Sequence, residues 1–570
     1  MKHQSISLEY PTDLINIAIL IIVWGIAICL VNPIGNFPLN DDWAYGRSVK
    51  WLVEEGELRY VGWTATNLFS QILWGALFCL PFGFSFTVLR LSTLVLGIVG
   101  VIATYCLLKG IGSNPKLALF GALVTALNPM YFALSNSFMN DVQFFSVAIL
   151  SLYFLYQSLN KSSSILLIVG TVFALIAILS RQSGHAIPLA FGCAFLFRYG
   201  LSLSNLLKGF LPTALGVAVQ LGYQQWLERI MHLPDNYGKQ IDTLVGELSK
   251  GIYKATFNFS QITLVCLIYL GLFLLPILVI LFARKLAQSS KAMQYTLLAS
   301  TAAICVFILN VLRIRLLLKG RLMPLGHNII MDFGIGPIGL INHTLPQAHR
   351  SFWIGVTLLG AVGAALLLHL LLWAFMTIWL PCQTQDRPSD QVQKWEIVFF
   401  ACTGLIYFLP ISFLGFSPHG FYDRYLLFLF PLLMAVGLCA TKGSFKPPTR
   451  MNRSLVVGCV LLLLYGAFAV GATHDYLDMN RVRWQALDYL TAHQNISPNQ
   501  IDGGMEFNGW HLYSSDYQYK KGKSWYWVDD DEYVIAAKPI AGYVERQRYI
   551  HQRWIPWRTD TILILQREGS

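Results

Sequence analysis

A chain of 570 residues in which 55% are hydrophobic and only 12% are charged carries too little charge to solvate a globule of its size. This composition excludes a water-soluble enzyme and predicts a polytopic membrane protein. The formal net charge is +11, but the basic residues are scattered through short loops, so they indicate membrane topology and lipid contacts and no nucleic-acid partner. The 10 cysteines form no disulfide framework or paired metal motif.

Hydropathy predicts about thirteen transmembrane helices in the first 473 residues. They lie near 14–31, 86–108, 117–135, 143–159, 164–180, 186–197, 206–224, 262–283, 295–312, 352–380, 396–414, 424–440 and 454–473. Residues 66–83 are ambiguous, because polar residues among their aromatics suit a helix lying in the membrane interface as well as one that crosses. The predicted fold is therefore an all-α polytopic membrane domain, residues 1–473, with interfacial helices in its outer loops.

If residues 66–83 lie flat, most short basic loops share one side, which the positive-inside rule makes cytoplasmic. The longer loops 226–261 and 313–350 and the tail 474–570 then face outward, and an interfacial helix is expected within 226–261. One basic cluster is then on the outer side and becomes a candidate for function: Arg313, Arg315, Lys319 and Arg321.

The tail from residue 474 lacks long hydrophobic runs and predicts a small soluble α/β domain. A helix is expected near 479–493, and alternating, β-branched segments predict strands near 533–537, 543–550 and 561–566.

An acidic pair, Asp41 and Asp42, follows the first predicted span at a short distance. Two carboxylates beside the membrane could act as a base on a substrate that is itself partly in the lipid. They also fit plain helix punctuation, with Asn40 as the N-cap, the acids at the positive end of the next helix, and Gly56 at its end. The local sequence leaves both interpretations open.

Three further ionisable residues near predicted span ends need partners, because charge close to the bilayer is costly. Asp141 is on the predicted side of Asp41 and Asp42, and its alternative is a helix cap. Arg181 interrupts an apolar stretch and needs an acid or a phosphate. Arg424 begins a late span, and a local interaction with Asp423 is the alternative to a functional one.

The order of these parts resembles the GT-C class of membrane glycosyltransferases, and most closely glycosyltransferase family 39, the aminoarabinose lipid A transferases and the RgtA/B/C/D-like proteins. In that group the first outer loop reads Asp-Glu, then a tyrosine, then a helix that ends in glycine. This chain has Asp41-Asp42-Trp43-Ala44-Tyr45 and Gly56, so Asp42 departs from the usual glutamate. Arg424 and Tyr425 are similar to the family's late Arg-Tyr pair.

The resemblance implies an inverting glycosyltransferase that takes a sugar from a polyprenyl phosphate, because the outer membrane face has no nucleotide-sugar supply. Asp41 would be the base, and Asp42 and Asp141 would orient the acceptor or the sugar. Phosphate and substrate contacts are expected from Arg181, Arg424, Tyr425, Tyr45 and one of Arg313, Arg315 or Arg321. No metal ligands are assigned, although the number of carboxylates leaves open whether a divalent cation binds.

The implied partners are the lipid-linked donor, membrane lipids, and a lipid, glycan or protein acceptor. The expected location is a bacterial plasma or inner membrane, with the site and the tail on the extracytoplasmic side. Two other classes stay open from the sequence. A transporter or flippase for a lipid-linked sugar would line its pathway with the same charges, and a glycan polymerase or ligase would use the large 313–350 loop.

Overall fold

The computed structural model describes residues 10–230, 233–319, 322–326, 328–340, 348–379, 394–416, 420–441, 453–519 and 526–569, with the side chains of residues 230, 288 and 313–319 left aside. Its helices are α1 (Tyr10–Val31), α2 (Asp42–Glu54), α3 (Phe69–Phe82), α4 (Phe86–Gly110), α5 (Pro115–Ala126), α6 (Pro129–Ser135), α7 (Asn140–Lys161), α8 (Ser164–Ser180), α9 (Ala186–Tyr199), α10 (Leu203–Ile230), α11 (Lys239–Ser249), α12 (Ile252–Gln288), α13 (Lys291–Lys319), α14 (Arg350–Trp379), α15 (Lys394–Phe413), α16 (Leu429–Ala440), α17 (Arg453–Asp488) and α18 (Met505–Leu512).

Over the described residues, the predicted spans coincide with these helices, except that the span at 117–135 is divided between α5 and α6 and the span at 424–440 begins before α16. The described part of the chain is an integral, multi-pass membrane protein. Within the described ranges, ten helical segments are long and apolar enough to cross a bilayer, and α5 with α6, bent by 63°, would make an eleventh. The bend is local, because Asn128 caps α6 with its side chain and Pro129 follows at the first helical position. The two other predicted spans correspond to α8 and α9, which are shorter helices.

The ambiguous segment forms α3, whose 14 residues extend about 21 Å and are shorter than the bilayer core. One face of α3 is buried, and the other exposes Leu73, Leu77 and Leu80. The interfacial helix expected within 226–261 is α11, which has the apolar residues Ile241, Val245 and Leu248 exposed on one face.

The C-terminal region forms the predicted small α/β unit. Its strands are β3 (Ile501–Asp502), β4 (Tyr533–Ala536), β5 (Tyr543–Trp554) and β6 (Trp557–Arg567), in the sheet order β3-β4-β6-β5. The helix expected near 479–493 is the continuation of α17, which runs unbroken from the membrane domain into the tail. A small hairpin, β1 (Ile330–Met331) and β2 (Gly334–Ile335), lies in the 313–350 loop.

Candidate functional site

The first outer loop is fixed between the end of α1 and the start of α2 by Arg90 of α4. Arg90 is buried and donates through Nη1 to the carbonyl oxygens of Pro33 (2.6 Å) and Gly35 (3.1 Å) and through Nη2 to Phe37 (2.9 Å). A buried guanidinium needs such acceptors, and here the backbone of the loop supplies them. The loop that carries the acidic pair is therefore anchored to a membrane helix.

The helix-punctuation interpretation holds at the C-terminal end of α2 and in part at its N-terminal end, where Asp42 lies in the first turn. Asp41, not Asn40, is the N-cap, and its side chain makes no capping hydrogen bond. Asn40 instead has a left-handed backbone with φ of 56°. At the other end, Gly56 has φ of 73°, which suits a glycine that ends a helix. Because Asp41 does not cap with its carboxylate, that group is available for other contacts.

The two neighbouring aspartates have different surroundings. Both oxygens of Asp42 accept backbone N–H groups, from Leu39 and from Phe138, the latter at 3.0 Å. Burial raises the pKa of the Asp42 carboxyl to about 7, although the two N–H groups favour its ionised form. The prediction that Asp42 orients a substrate finds no support in these contacts. Asp42 joins the first outer loop to the segment that precedes α7.

Asp41 and three charged side chains from distant parts of the chain lie close together. Arg181 Nη1 contacts Asp141 Oδ1 at 2.7 Å, and Arg424 lies 3.7 Å from Asp41 Oδ2 and 3.8 Å from Asp141 Oδ2. We call Asp41, Asp141, Arg181 and Arg424 the charged cluster. Asp41 has 16% of its side chain exposed and Asp141 only 1%, so Asp41 is the acid that water and solutes reach more easily.

Each member of the cluster is held at the end of a helix. Asp141 is in the first turn of α7, and Arg181 follows α8, where a 3-10 turn, Gln182–His185, redirects the chain. Arg424 lies in a 3-10 turn, Asp423–Leu426, before α16. The local interaction with Asp423 uses the backbone of Arg424. The Asp423 carboxylate accepts the backbone N–H groups of Arg424, Ile329 and Ile330 at 2.8 to 3.2 Å.

Two buried polar atoms in the cluster have no hydrogen-bond partner in the part of the chain that the structure describes. They are Asp141 Oδ2 and Arg424 Nε. The distances from Arg424 to both acids are too long for hydrogen bonds, so the guanidinium lies between two carboxylates without closing on either. Buried polar groups in native proteins are nearly always paired, and exceptions often mark binding or catalytic sites. The cluster therefore has unused capacity for a polar ligand.

Aromatic side chains enclose the cluster. Trp63 Nε1 donates to Asp41 Oδ1 at 2.8 Å, and the Arg181 guanidinium lies 5.2 Å from the centre of the Tyr425 ring. Tyr425 in turn accepts a hydrogen bond from Gln240 of α11 at 2.6 Å. Tyr45 is buried beside the cluster, where burial and the Asp41 charge raise the pKa of its phenol. Sequence reasoning missed Trp63 and Gln240, which have no local pattern that points to Asp41 or Tyr425.

A cavity of about 110 Å³ opens beside Arg181 and Tyr425. Gln182, Ser183 and Thr66 provide polar groups, and α11 and the end of α15 provide apolar ones. The cavity thus connects cationic and hydroxyl groups with apolar side chains of helices at the membrane domain's edge. This combination suits an amphiphile with an anionic head group.

Some predicted site residues are not among those that the structure describes. The side chains of Arg313 and Arg315 and the whole of Arg321 are not among the described residues. In the described ranges, no group of three or more His, Cys, Asp or Glu residues is placed to hold a metal ion.

A comparison with protein families matches residues 72–221, about a quarter of the chain, to the family described as dolichyl-phosphate-mannose-protein mannosyltransferase. The chain therefore resembles the GT-C mannosyltransferases, as the first outer loop indicated. The matched region contains Asp141 and Arg181, whereas Asp41 and Arg424 lie outside it.

Solved structures of membrane transferases also align with the chain. ArnT from Cupriavidus metallidurans bound to undecaprenyl phosphate aligns at 12% identity over 98% of both chains, with a TM-score of 0.40. The apo oligosaccharyltransferase from Archaeoglobus fulgidus aligns at 12% identity over 89% of this chain and 61% of its own, also with a TM-score of 0.40. No curated protein sequence matches the chain.

Proposed function

We propose that this protein is an inverting glycosyltransferase that moves a sugar from a polyprenyl-phosphate donor to an acceptor hydroxyl at the outer face of the membrane. The observation that carries the proposal is the position of Arg424, 3.7 Å from Asp41 and 3.8 Å from Asp141, with Arg181 on the other side of Asp141. One acid that solutes can reach, beside two largely buried cations, is the combination that transfer from a phosphate ester requires.

In the proposed reaction, Asp41 takes the proton of the acceptor hydroxyl while the oxygen of that hydroxyl attacks the anomeric carbon of the donor sugar. The bond between that carbon and the phosphate oxygen breaks on the opposite face, and its electron pair leaves with the phosphate. The configuration at the anomeric carbon is inverted. Trp63, which donates to Asp41 Oδ1, fixes the carboxylate and leaves Oδ2 to receive the proton.

The departing phosphate gains negative charge, and Arg424 and Arg181 stabilise it. The Arg424 guanidinium has an unpartnered Nε and no closed ion pair, so it can turn to phosphate oxygens at little cost. Asp141 holds Arg181 at 2.7 Å and keeps the charge of the cluster near neutral before the donor arrives. Donors aimed at developing charge in a site shielded from water each contribute about 10²- to 10³-fold to the rate.

The cavity beside Arg181 suits the donor's phosphate end. Its polar wall, Thr66, Gln182 and Ser183, offers hydrogen bonds, and the apolar side formed by α11 and α15 suits the first isoprene units. The remainder of the lipid chain would extend into the bilayer. With cations of the protein at the phosphate, we propose that the transfer proceeds without a divalent metal ion.

The positions of the short basic loops support the topology that goes with this function. In it the charged cluster and the C-terminal unit are extracytoplasmic, at the surface of a bacterial plasma or inner membrane. The acceptor is a hydroxyl of a lipid, glycan or protein, which approaches Asp41 from the aqueous side.

The test is replacement of Asp41 by Asn in purified protein supplied with a labelled polyprenyl-phosphate sugar in membrane extract. Loss of a general base lowers kcat by about 10²- to 10⁴-fold. Glu545→Gln, which removes a partly exposed acid that pairs with Arg548 on strand β5, is the matched control and should keep wild-type transfer. Transfer by Asp41→Asn at the wild-type rate would remove Asp41 as the base. Wild-type protein that moves label across vesicles without forming a covalent product would indicate a flippase.

A further inference from the structure

A buried ion pair is one of the contacts through which the C-terminal unit reaches the first outer loop. Arg483, near the end of α17, contacts Glu506 of α18 at 2.8 Å, and both side chains are almost fully buried, at 1% and 2% exposure. The other oxygen of Glu506 accepts the backbone N–H of Asn40 at 3.2 Å. Asn40 is the residue directly before Asp41, and no reasoning from the sequence connected it with the tail.

Asn40 is the position at which this contact has most effect on Asp41. Its left-handed backbone, with φ of 56°, sets the direction in which the chain enters α2. A non-glycine residue keeps such a conformation only where its surroundings hold it. The Glu506 carboxylate supplies part of that hold, because it accepts the Asn40 N–H while Arg483 fixes the carboxylate from the other side.

Arg483 is itself fixed by the fold of the C-terminal unit. Its Nε donates to the Gly503 carbonyl at 2.9 Å, and its Nη1 also contacts Asn480 Oδ1 at 3.2 Å. Gly503 lies between β3 and α18, in a turn where its N–H donates to Asn508 Oδ1 at 3.0 Å. The path from the C-terminal sheet to Asn40 therefore consists of short, buried polar contacts.

A second set of contacts attaches α18 to α2 one turn beyond Asp41. A Cβ atom added at Gly509 would lie 2.5 Å from the Trp43 ring, so the two helices approach as closely as a glycine permits. Arg47 of α2 donates to the carbonyl oxygens of Gly509 and Trp510. These contacts leave the Asp41 carboxylate itself untouched and fix only the backbone that carries it.

We propose that the C-terminal unit acts as a clamp on the catalytic loop, and that Glu506, held by Arg483, is a positioning residue for Asp41. The inference rests on the proposed function, since it assumes that Asp41 is the base. A base must be held within hydrogen-bond reach of the hydroxyl it deprotonates, and a shift of about 1 Å can cost about 10²-fold in rate. The tail would then be part of the active site and not only an accessory to it.

The test uses Glu506→Gln in the full-length purified protein, with Glu506→Ala as a more disruptive second variant. Gln keeps the length of the side chain, but its oxygen can accept from Asn40 only by turning its amide N–H groups toward Arg483. We expect kcat to fall by about 10²-fold, with the KM for the donor and the affinity for undecaprenyl phosphate unchanged. Hydrogen exchange of the Asn40 amide should become at least about 10-fold faster.

Asp531→Asn is the matched control. Asp531 is also a buried acid of the C-terminal unit, and it holds Arg567 of strand β6 instead of Arg483. This variant should lose thermal stability and keep both kcat and the slow exchange of Asn40. Equal losses of kcat in the Asp531→Asn and Glu506→Gln variants would show a merely structural effect and overturn the inference.

Two further outcomes are separable. Unchanged exchange at Asn40 in both Glu506 variants would overturn the clamp whether or not the protein transfers sugar. If wild-type protein transfers no sugar but Asn40 exchange still rises in Glu506→Gln, the proposed function fails while the contact between the tail and the loop stands. The claim that this contact positions a base would then be overturned.

Discussion

The two ends of the membrane domain treat buried charge in different ways. At the end where α1 begins and α4 finishes, Asp13 accepts hydrogen bonds from Lys109 and, at 2.6 Å, from the Tyr105 hydroxyl. Asn16 completes the group by donating to Tyr105 at 3.0 Å. At the opposite end, where α1 finishes and α4 and α7 begin, Arg424 lies between two acids at 3.7 and 3.8 Å and closes on neither.

This difference shows which charges serve the fold and which are available for chemistry. In the Asp13 group, no buried polar atom of Asp13, Asn16, Tyr105 or Lys109 lacks a partner among the described residues, whereas Asp141 and Arg424 each leave one unsatisfied. A closed group ties helices together. An open group retains hydrogen-bonding capacity that a substrate can use, at a cost in stability that the surrounding structure must offset.

Of all these replacements, Arg424→Ala in the charged cluster should lower transfer activity the most. Asp41 and Asp141 would face each other without the cation between them, and the leaving phosphate would lose a donor. We expect kcat/KM to fall by about 10³-fold. Arg424→Lys should recover only part of this loss, because an ammonium group cannot reproduce the flat, forked donor set of a guanidinium. Activity measured on both variants and found equal to wild type would make the open cluster irrelevant to transfer.

Replacement of Arg181 by Gln should weaken binding of the lipid phosphate more than it slows turnover. A charged hydrogen bond contributes about 1.5–3 kcal/mol, so the Kd for undecaprenyl phosphate should rise about 10- to 100-fold. Binding can be measured by the ligand-induced rise in melting temperature or by direct titration in detergent. Lys109→Gln, which removes the cation that pairs with Asp13, is the control and should bind undecaprenyl phosphate as wild type does. Equal affinities for Arg181→Gln and wild type would remove Arg181 from the phosphate site.

Replacement of Asp13 by Asn should lower the stability of the protein and leave its transfer activity unchanged. The variant loses the ion pair with Lys109 and leaves a partly buried ammonium without its acid, so stability should fall by about 1–3 kcal/mol. Transfer activity at a temperature where the protein stays folded should be unchanged. The measurements are a thermal melt and an initial rate on the same preparation. A large loss of rate with an unaltered melt would mean that the two ends are not distinguished as described.

Replacement of Asp42 should have the smallest effect. Although Asp42 is next to Asp41 in the chain, both of its carboxylate oxygens already accept hydrogen bonds. Its folded-state pKa of about 7 lies above the value of about 4 of an unfolded aspartate. The stability it contributes is therefore fully present below pH 4 and is lost as pH rises through 7. Compared with Asp42→Asn, wild type should lose more of its melting temperature between pH 5 and pH 8. An identical change in both proteins would show that Asp42 does not titrate in this range.

The sequence was enough to predict most of the membrane helices and to include the four residues of the charged cluster among a larger set of candidates. Spans are long apolar runs, and intramembrane or membrane-edge charges are few, so Asp41, Asp141, Arg181 and Arg424 stood out. Because the spans cross the bilayer in alternating directions, the C-terminal end of α1 and the N-terminal ends of α4 and α7 lie on the same side. The sequence also predicted β4, β5 and β6, because the signals of strand alternation are local.

Contacts between distant segments could not be predicted in this way. The difference between Asp41 and Asp42 depends on the backbone N–H of Phe138, almost a hundred residues away, and Arg90 is anchored by carbonyl groups that any sequence carries. Glu506 and Arg483 have no spacing that indicates a pair with Asn40. Side chains that bind backbone groups leave no residue-type pattern at the partner, so they appear only in three dimensions.

The most direct test of the central claim is a structure of the protein with undecaprenyl phosphate bound. The account predicts the phosphate within hydrogen-bond distance of Arg181 and Arg424, close to Asp41 Oδ2, with the lipid chain leaving through the cavity between α11 and α15. A second cavity, about 1140 Å³ in volume, lies at the closed end beside Lys285, Trp373 and Lys394. A phosphate bound there, with the charged cluster unoccupied, would contradict the account.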